Sequence, residues 1–393
     1  MAKAALAALG TSIFSEMTRL ANERGAVNLS QGFPDFDGPP AIVDAAIEAL
    51  RGGQNQYGRS MGLPALVEQI ARHQQDHYGL RYEPMSEVCA VAGATEGLAA
   101  AMIGLLEPGD EVVLFEPFYD GYPATLAMAG ATARVVTLRA PEFRVEEAAV
   151  RAALSDQTRM IVVNSPHNPT GRVLSEGELD VLARICVERD LIALTDEVYE
   201  HLVFAGARHV PLATRPGMRE RTVALSSTGK TFSFTGWKVG WATGPEPLIA
   251  AVQRAHQFLT FCAATPLHAA MAAALASLQA PFFETLRAEY TARRDFLVGV
   301  LREVGFEVHV PQGTYFVLAG LRGITQEDDV RFARRLIDEA GVAAIPPSAF
   351  YAHAREEGQG MLRFAFCKRD ETLGEAARRL RHWRAHRPAE RAP

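Results

Sequence analysis

Short apolar runs rich in β-branched residues alternate with amphipathic or alanine-rich stretches from about residue 88 onward. The apolar runs, which we predict to be strands, are VCAVAG (88–93), EVVLFEP (111–117), RVVTL (134–138), MIVVNSP (160–166), LIALTDE (191–197), TVALSS (222–227) and KVGWATG (238–244). Segments with a helical pattern lie between several of them, at 95–107, 145–155 and 175–190. This succession predicts an α/β fold with a mostly parallel seven-stranded sheet, covered by helices on both faces.

The helical segment at 175–190 carries a sequence signal for its first residue. Ser175 is followed three residues later by Glu178, which is the spacing of a capping box. In that motif the two side chains accept hydrogen bonds from backbone amides that the helix itself leaves unpaired. We therefore predict that this helix is capped by Ser175.

The pattern changes after about residue 280, where charged helical stretches and fewer strands follow. In chain order we predict a long helix (about 281–305), the strands EVHVP (307–311) and TYFVLAG (314–320), a helix (about 328–340), the strand LRFAFC (362–367) and a terminal helix (about 371–386). This mixture is typical of a smaller α+β domain with a sheet of its own.

The first forty residues show no strong periodicity and become rich in glycine and proline after Asn28. We interpret them as an arm that packs on the smaller domain. The predicted division of the chain is therefore an N-terminal arm at 1–40, a large domain at 41–280 and a small C-terminal domain at 281–393.

Composition supports a globular protein and limits its partners. The chain has 393 residues, of which 48% are hydrophobic and 22% charged, proportions that allow a sizeable interior and two domains. The formal net charge of −6 gives no support for nucleic-acid binding. The apolar run near the N-terminus, Ala4 to Leu9, is shorter than the roughly 7–15 residues of a secretory signal. No stretch reaches the roughly 18 apolar residues of a membrane helix. We expect a cytoplasmic protein without membrane or nucleic-acid partners.

Cysteine and histidine spacing predicts no metal site. No pair of cysteines has metal-ligand or redox-motif spacing, and Cys89, Cys186 and Cys367 are expected to be buried free thiols. The histidines at 73, 77, 256 and 268 lack the His-Glu-x-x-His arrangement of a catalytic metal site. We therefore expect no catalytic metal.

Chemically unusual residues follow several of the predicted strands. Ligands of open α/β sheets bind beyond the carboxyl ends of the strands. The residues found there are Ala94-Thr95-Glu96-Gly97, Phe118-Tyr119, His167-Asn168-Pro169-Thr170-Gly171, Asp196-Glu197 with Tyr199, and Ser226-Ser227-Thr228-Gly229-Lys230. Packing alone does not account for such a concentration at one edge of one sheet, so we expect a binding site there.

The segment from Ser227 to Thr231 has three chemical interpretations. A phosphate-binding P-loop would need glycine at position 224, where the chain has Ala224. A Ser-x-x-Lys acyl-enzyme site would need the companion motifs Ser-Asp-Asn and Lys-Thr-Gly, which the sequence lacks. The third interpretation is a lysine, Lys230, that forms an imine with a carbonyl cofactor, aided by a phosphate anchor and an acid that protonates a pyridine nitrogen. Ser227, Lys238 and Asp196 could supply these functions.

Six motifs in order resemble the class I/II aminotransferases of fold type I, which depend on pyridoxal 5′-phosphate (PLP). They are NLSQGFPDF (28–36), NQYGRSMGLP (55–64), NSPHNPTGRV (164–173), TDEVYEHLVF (195–204), SSTGKTFSFTGWKVGW (226–241) and LRFAFCK (362–368). The resemblance extends from about Phe14 to Lys368. It is greatest to the kynurenine, glutamine–phenylpyruvate and methionine aminotransferases.

The resemblance implies roles around the cofactor ring. Lys230 would hold PLP as a Schiff base and then move the proton between the substrate Cα and C4′ of the cofactor. Asp196 would pair with the pyridine nitrogen, which keeps the ring an electron sink. Tyr199 and Asn168 would hydrogen-bond the phenolic oxygen, and Tyr119 would stack on the ring.

It also implies phosphate and substrate ligands. Ser227, Lys238 and the backbone amides of Ala94 and Thr95 would hold the phosphate, the amides at a helix N-terminus. Tyr57 would reach the phosphate of a neighbouring subunit, since these enzymes build each site at a homodimer interface. The substrate would be bound by Arg363, which suits a bidentate carboxylate contact, and by Gly32, Asn168, Phe14 and Phe261.

Two positions depart from the commonest pattern of the subgroup. Animal members often have an aromatic residue where Thr95 stands and a histidine where Cys262 follows Phe261. Both differences concern substrate preference. Taken singly, several site residues also have structural interpretations: Asp196 as a helix cap, Arg363 in a buried ion pair and Asn168 in a turn.

The main hypothesis is transfer of the amino group from an uncharged, large L-amino acid such as methionine, glutamine, phenylalanine or kynurenine to a 2-oxo acid. The alternatives are a cysteine-conjugate carbon–sulfur β-lyase and an N-succinyl-diaminopimelate aminotransferase. A PLP-binding regulatory module is a further alternative from another class, but it would require a DNA-binding segment and a basic face. About thirty residues of this acidic chain precede the first motif.

Overall fold

The computed structural model of the chain describes residues 13–204, 206–277 and 280–386. Its strands, in chain order, are β1 (Val27–Asn28), β2 (Val88–Val91), β3 (Glu111–Glu116), β4 (Thr132–Thr137), β5 (Thr158–Asn164), β6 (Ile192–Asp196), β7 (Thr222–Ser227), β8 (Gly240–Thr243), β9 (Glu307–His309), β10 (Phe316–Gly320), β11 (Val342–Ala343) and β12 (Met361–Ala365).

The helices of the same residues are α1 (Ile13–Arg24), α2 (Pro40–Arg51), α3 (Pro64–Tyr78), α4 (Gly93–Leu105), α5 (Gly121–Ala129), α6 (Glu147–Ala153), α7 (Glu176–Glu188), α8 (Thr228–Thr231), α9 (Glu246–Leu259), α10 (Thr265–Ser277), α11 (Ala280–Glu303), α12 (Asp329–Ala340), α13 (Glu356–Gln359) and α14 (Asp370–His386). None of the described helices is long and apolar enough to cross a membrane.

The large sheet has seven strands in the order β2-β8-β7-β6-β5-β3-β4. Strands β3 to β7 pair in parallel with one another, whereas β8 is antiparallel to both of its neighbours, β2 and β7. The predicted α/β fold with a mostly parallel sheet is therefore confirmed. The last strand begins at Gly240 rather than at Lys238, because a 3₁₀ turn over Thr235–Trp237 leaves Lys238 in the left-handed region with φ +55°.

Helices cover both faces of this sheet. The central strands are therefore buried on both sides, which explains why their sequences are continuously apolar. Ile161 and Val163 of β5 pack into the hydrophobic layer that contains Leu182 of α7. Their neighbours Met160 and Val162 pack into the opposite layer, with Leu98 of α4. Successive side chains of a strand point to opposite faces, so a strand that is buried on both sides is apolar at each position.

The predicted capping box at the start of α7 is present. The Ser175 side chain accepts a hydrogen bond from the Glu178 backbone amide, and the Glu178 carboxylate accepts one from the Ser175 amide at 2.9 Å. Glu178 also pairs with Arg172 at 2.6 Å, so the helix start is tied to the preceding loop.

The C-terminal part forms a second core around an antiparallel sheet with the order β12-β10-β9. The N-terminal segment contributes to this core through Met17 and Ala21 of α1, and its β1 pairs in parallel with β11. Residues 1–12 of the predicted arm lie outside the described residues. Val198 and Tyr199, which follow β6 of the large sheet, belong to the same core, so the two sheets meet at the carboxyl end of β6.

Candidate active site

A cavity of about 310 Å³ lies where the carboxyl ends of the central strands of the large sheet face the smaller sheet. Most of the residues predicted to form a site line it: Phe14, Gly32, Ala94, Thr95, Tyr119, Asn168, Asp196, Tyr199, Ser227, Lys230, Lys238 and Arg363. They come from distant parts of the chain, and the parallel sheet brings them together because its strand ends share one edge.

Lys230 lies on α8, a single helical turn that directly follows β7. Its Nζ donates to the Tyr315 hydroxyl at 2.9 Å and lies 3.5 Å from the Gly32 carbonyl oxygen. Burial lowers the pKa of Lys230 to about 8, while the charge of Asp196 opposes this shift. The lowered pKa makes the neutral amine, which is the form that attacks a carbonyl carbon, more available near neutral pH than that of an exposed lysine.

Asp196 ends β6 and points its carboxylate into the cavity. Its Oδ2 accepts a hydrogen bond from the Tyr122 hydroxyl at 2.7 Å, and the Asn164 side chain donates to its backbone carbonyl at 2.8 Å. Burial raises the pKa of Asp196, and the bonds from Tyr122 and the Val198 amide oppose that rise. Within the described residues this carboxylate forms no ion pair, so a cation placed in the cavity would stabilise it.

Arg363, on β12, is 1% exposed. Its Nη1 donates to the Asn168 side-chain oxygen at 2.7 Å and its Nη2 to the Ser30 carbonyl at 3.3 Å, while Nε has no partner. The guanidinium lies 3.8 Å from the centroid of the Phe316 ring. Burial lowers the pKa of Arg363 to about 10, which still leaves it charged at neutral pH.

The interpretation of Arg363 as half of a buried structural ion pair is wrong for the part of the chain that the structure describes. No carboxylate there lies within ion-pair distance of its guanidinium, although Asp120 adds a longer-range favourable charge. Burying a cation without an anionic partner is energetically unfavourable. An anion that enters the cavity would therefore stabilise Arg363.

One end of the cavity is suited to a phosphate. Helix α4 begins at Gly93 without a side-chain cap, so its first amides, including those of Ala94 and Thr95, are open to an anion. The Lys238 amine packs beside this turn, and a Cβ added to Gly93 would lie 3.3 Å from its Nζ. Ser227 does not cap α8 with its side chain, and its hydroxyl faces the same region.

Glycine at position 240 permits the close approach of β8 to this helix start. A Cβ there would lie 2.8 Å from the Ala94 backbone nitrogen and 2.8 Å from the Ser226 carbonyl oxygen. Both contacts are with backbone atoms, which cannot swing away, so a larger residue would push α4 out of place.

The buried Tyr199 borders the cavity beside Lys230, whose Nζ lies 5.8 Å from the centroid of the tyrosine ring. The Tyr199 ring packs edge-on against the ring of Tyr315 with centroids 5.1 Å apart, and burial raises the pKa of Tyr199. Tyr315 in turn donates a very short hydrogen bond to the Gly32 carbonyl oxygen. The Tyr315 hydroxyl and the Gly32 carbonyl thus set the direction of the Lys230 amine.

Two predicted residues lie outside this cavity. Tyr57 is 84% exposed, and its ring packs edge-on against Phe261 with centroids 5.1 Å apart. Phe261 was expected to form a wall of the substrate pocket, but in its own chain it lies beside Tyr57 at the surface, where Phe258 is also exposed. Phe261 therefore does not line the cavity of its own chain, and its part in a substrate pocket stays a prediction.

Sequence analysis missed several residues that shape the site. Tyr122 and Tyr315 act through hydroxyls that contact Asp196 and Lys230 from other elements. Asn164 links the ends of β5 and β6, because its side chain donates to the Asp196 carbonyl, and it also accepts from the Asn168 amide at 2.8 Å. The one signal in the sequence is that Tyr122 lies three residues after Tyr119, close to the end of a predicted strand. Tyr315 lies in a stretch with the pattern of an ordinary buried strand.

Comparison with known proteins agrees with this geometry. The sequence model of the family described as aminotransferase class I and II matches residues 24–380. A Mycobacterium tuberculosis protein described as a probable N-succinyldiaminopimelate aminotransferase is 48% identical over 94% of this chain and 95% of its own. The methionine aminotransferase of Escherichia coli is 40% identical over 95% of this chain and 96% of its own.

Solved structures show the same similarity. The structure of N-succinyldiaminopimelate aminotransferase from Mycobacterium tuberculosis superposes with a TM-score of 0.95 and 47% identity, covering 98% of this chain and 100% of that one.

Proposed function

Because the chain belongs to the class I and II aminotransferases, a PLP-dependent family, we propose that it transfers the amino group of an L-amino acid with a large, uncharged side chain to a 2-oxo acid. Methionine, glutamine, phenylalanine and kynurenine are donors of this kind. The observation that carries the proposal is the charge distribution of the cavity. Its described lining contains three cations, Lys230, Lys238 and Arg363, and the functions proposed for them leave none to bind a side-chain carboxylate.

The residues present fit PLP. The uncapped start of α4 with Lys238 and Ser227 suits the phosphate, and the unpaired carboxylate of Asp196 suits a protonated pyridine nitrogen. The partly neutral Lys230 amine suits a covalent bond to the aldehyde carbon. When bound, PLP withdraws electrons from the substrate Cα and carries the amino group from one substrate to the next.

The chain's own residues supply positioning and proton transfer. Arg363 lines the cavity and its Nε has no partner in the described residues, so its guanidinium would hold the substrate α-carboxylate, assisted by Asn168. The Gly32 backbone would lie against the same carboxylate. With the carboxylate fixed, the Cα–H bond would face Lys230, whose Nζ would take the proton and later return it.

The wall near Arg363 is aromatic, with Phe14 and Phe316 both close to its guanidinium. Burying an apolar substrate side chain there would contribute roughly 1.5–3 kcal/mol. A second substrate carboxylate placed against the same rings would lose its hydration without gaining a cationic partner, which costs several kcal/mol. Uncharged donors are favoured for this reason.

N-succinyl-diaminopimelate is a second candidate donor, favoured by the 48% identity to the Mycobacterium tuberculosis protein. The part of this molecule next to the reacting carbon is an uncharged methylene chain, so it is compatible with an aromatic wall. Its distal carboxylates would have to reach beyond the described lining of the cavity.

A homodimer with shared sites would account for Tyr57 and its neighbours. Three large aromatic side chains are exposed to solvent in this region: Tyr57 at 84%, Phe258 at 88% and Phe261 at 45% of their full accessible area. We propose that Tyr57 reaches the phosphate site of a second copy, with Phe261 packed behind it. Sedimentation of wild-type protein and of Tyr57→Phe measures the oligomer, and the affinity for PLP should fall in the variant through the lost hydroxyl.

The proposed function is tested by mixing purified holoenzyme with each candidate donor and following the conversion of cofactor absorbance to the pyridoxamine form. We expect kcat/KM for methionine or phenylalanine to exceed that for aspartate at least tenfold. A tenfold preference for N-succinyl-diaminopimelate would select the second candidate. A preference for aspartate would contradict the aromatic-wall argument, and Lys230→Ala serves as the control that removes turnover with every donor.

A further inference from the structure

Three histidines from two distant parts of the chain lie together where α3 meets the segment after β6. His73 and His77 lie one helical turn apart on α3, and His201 follows β6. One ring nitrogen of each lies within 4.8 Å of the others. His73 and His201 are buried, whereas His77 is exposed. The cavity described above does not include any of the three.

The carboxylate of Glu200 lies beside two of these histidines, His73 and His201. His73 Nε2 lies 3.1 Å from His201 Nε2 and 3.4 Å from Glu200 Oε2, and the remaining side of this triangle, from His201 Nε2 to Glu200 Oε2, is 3.9 Å. Ligands at the usual 2.0–2.1 Å from a tetrahedral zinc ion are separated by roughly 3.4 Å. The triangle therefore has the size of one face of a zinc coordination sphere.

The Glu200 carboxylate is also fixed by hydrogen bonds from residues outside the histidine cluster. Tyr78 Oη donates to Oε2 at 2.6 Å, and the Ser226 hydroxyl donates to Oε1. Carboxylates that bind metals are typically fixed by such hydrogen bonds. The His201 ring is fixed as well, because it stacks on Phe283 with centroids 4.2 Å apart.

We propose that His73, His77, His201 and Glu200 bind one divalent transition-metal ion of the zinc type. Imidazole nitrogens with one carboxylate suit zinc and its neighbours in the first row, whereas calcium and magnesium prefer oxygen ligands alone. The exposed ring of His77 provides the route of entry and the fourth ligand.

The ion would have a structural function. It joins α3 to the segment after β6, and the Glu200–Ser226 bond extends this link to the end of β7, directly before Ser227. The site is independent of the proposed amino-group transfer, since none of its four ligands lines the cavity.

The experiment uses tag-free holoenzyme, freed of metal with a chelator, and titrates it with zinc ions by calorimetry. A matched control exists in the chain, because His382 and His386 form another pair one helical turn apart, with ring centroids 4.0 Å apart and both rings exposed. We compare wild type with His77→Gln and His382→Gln. The first substitution changes an exposed residue and leaves the buried core intact.

We expect wild type and His382→Gln to bind one zinc ion per chain with equal affinity, and His77→Gln to bind it at least about tenfold more weakly. Zinc should also raise the melting temperature of the first two proteins more than that of the third. Cobalt in the same site should give the intense visible absorption of a tetrahedral ion. The proposal is overturned if wild type binds no stoichiometric zinc, or if His77→Gln binds it as tightly as wild type.

Discussion

Replacing Arg363 by lysine retains the charge but removes the planar fork, and this variant tests how the substrate is held. The guanidinium now donates to Asn168 at 2.7 Å and lies 3.8 Å from the Phe316 ring centroid. A lysine offers a point charge on a flexible stem, so it cannot reproduce the planar fork that bonds Asn168 and both oxygens of a substrate carboxylate in fixed directions.

The size of the effect follows from one lost charge-assisted hydrogen bond, which is worth about 1.5–3 kcal/mol. At about 1.4 kcal/mol per factor of ten, kcat/KM for an amino-acid donor should fall roughly 10- to 150-fold. The Kd of 3-phenylpropionate, a carboxylate without an amino group, should rise by a similar factor. Absorbance of the bound cofactor should stay unchanged, because Arg363 acts on the substrate.

Steady-state kinetics with methionine and a Kd measurement for 3-phenylpropionate provide the assay. Arg334→Lys is the matched control, since Arg334 is an exposed arginine paired with Glu16 on the surface. Unchanged kcat/KM and Kd in a folded Arg363→Lys protein would refute the carboxylate assignment and leave Arg363 with a purely structural function.

Three further predictions concern the acid and the lysine of the site. Asp196→Asn should lower the single-turnover rate roughly 10²- to 10³-fold or more, because a neutral amide cannot hold a pyridinium charge, and a near-wild-type rate would refute that role. Tyr122→Phe removes the 2.7 Å bond that lowers the pKa of Asp196, so the acid limb of the pH profile should move to higher pH, and an unmoved limb would show that the bond has no such effect. In the cofactor-free protein the pKa of Lys230 is lowered from 10.5 to about 8, so the unfolded chain binds more protons between these values and stability should rise with pH across that window. Urea unfolding at several pH values checks this, since Lys230→Met should lack the rise and an identical slope in both proteins would contradict it.

The large sheet could be predicted from the sequence because its strands are buried on both faces. Runs such as MIVVNSP leave no polar position for an exposed surface, and the residues that break the pattern stand at the strand ends where a site forms. Ser175 and Glu178 similarly fixed the start of α7 through local hydrogen bonds. These features depend on neighbours in sequence.

Features that depend on distant contacts could not be predicted. The pairing of β1 with β11 involves two residues on each side, too few to show a period. Tyr315 reaches Lys230 only because the smaller sheet packs over α8. The histidine cluster could not be predicted for the same reason. His73 and His77 show only their local spacing, whereas His201 and Glu200 come from another part of the chain. The division at residues 40 and 280 stays a prediction.

The most direct test of the central claim is to find where PLP is attached. The sequence has lysines at positions 3, 230, 238 and 368 alone, so borohydride reduction of the holoenzyme followed by peptide mass spectrometry gives an unambiguous map. Lys238 is the strongest internal control, because it lines the same cavity as Lys230. The account predicts a phosphopyridoxyl group on Lys230 and on no other lysine. Attachment to Lys238, or no attachment to any lysine, would contradict it.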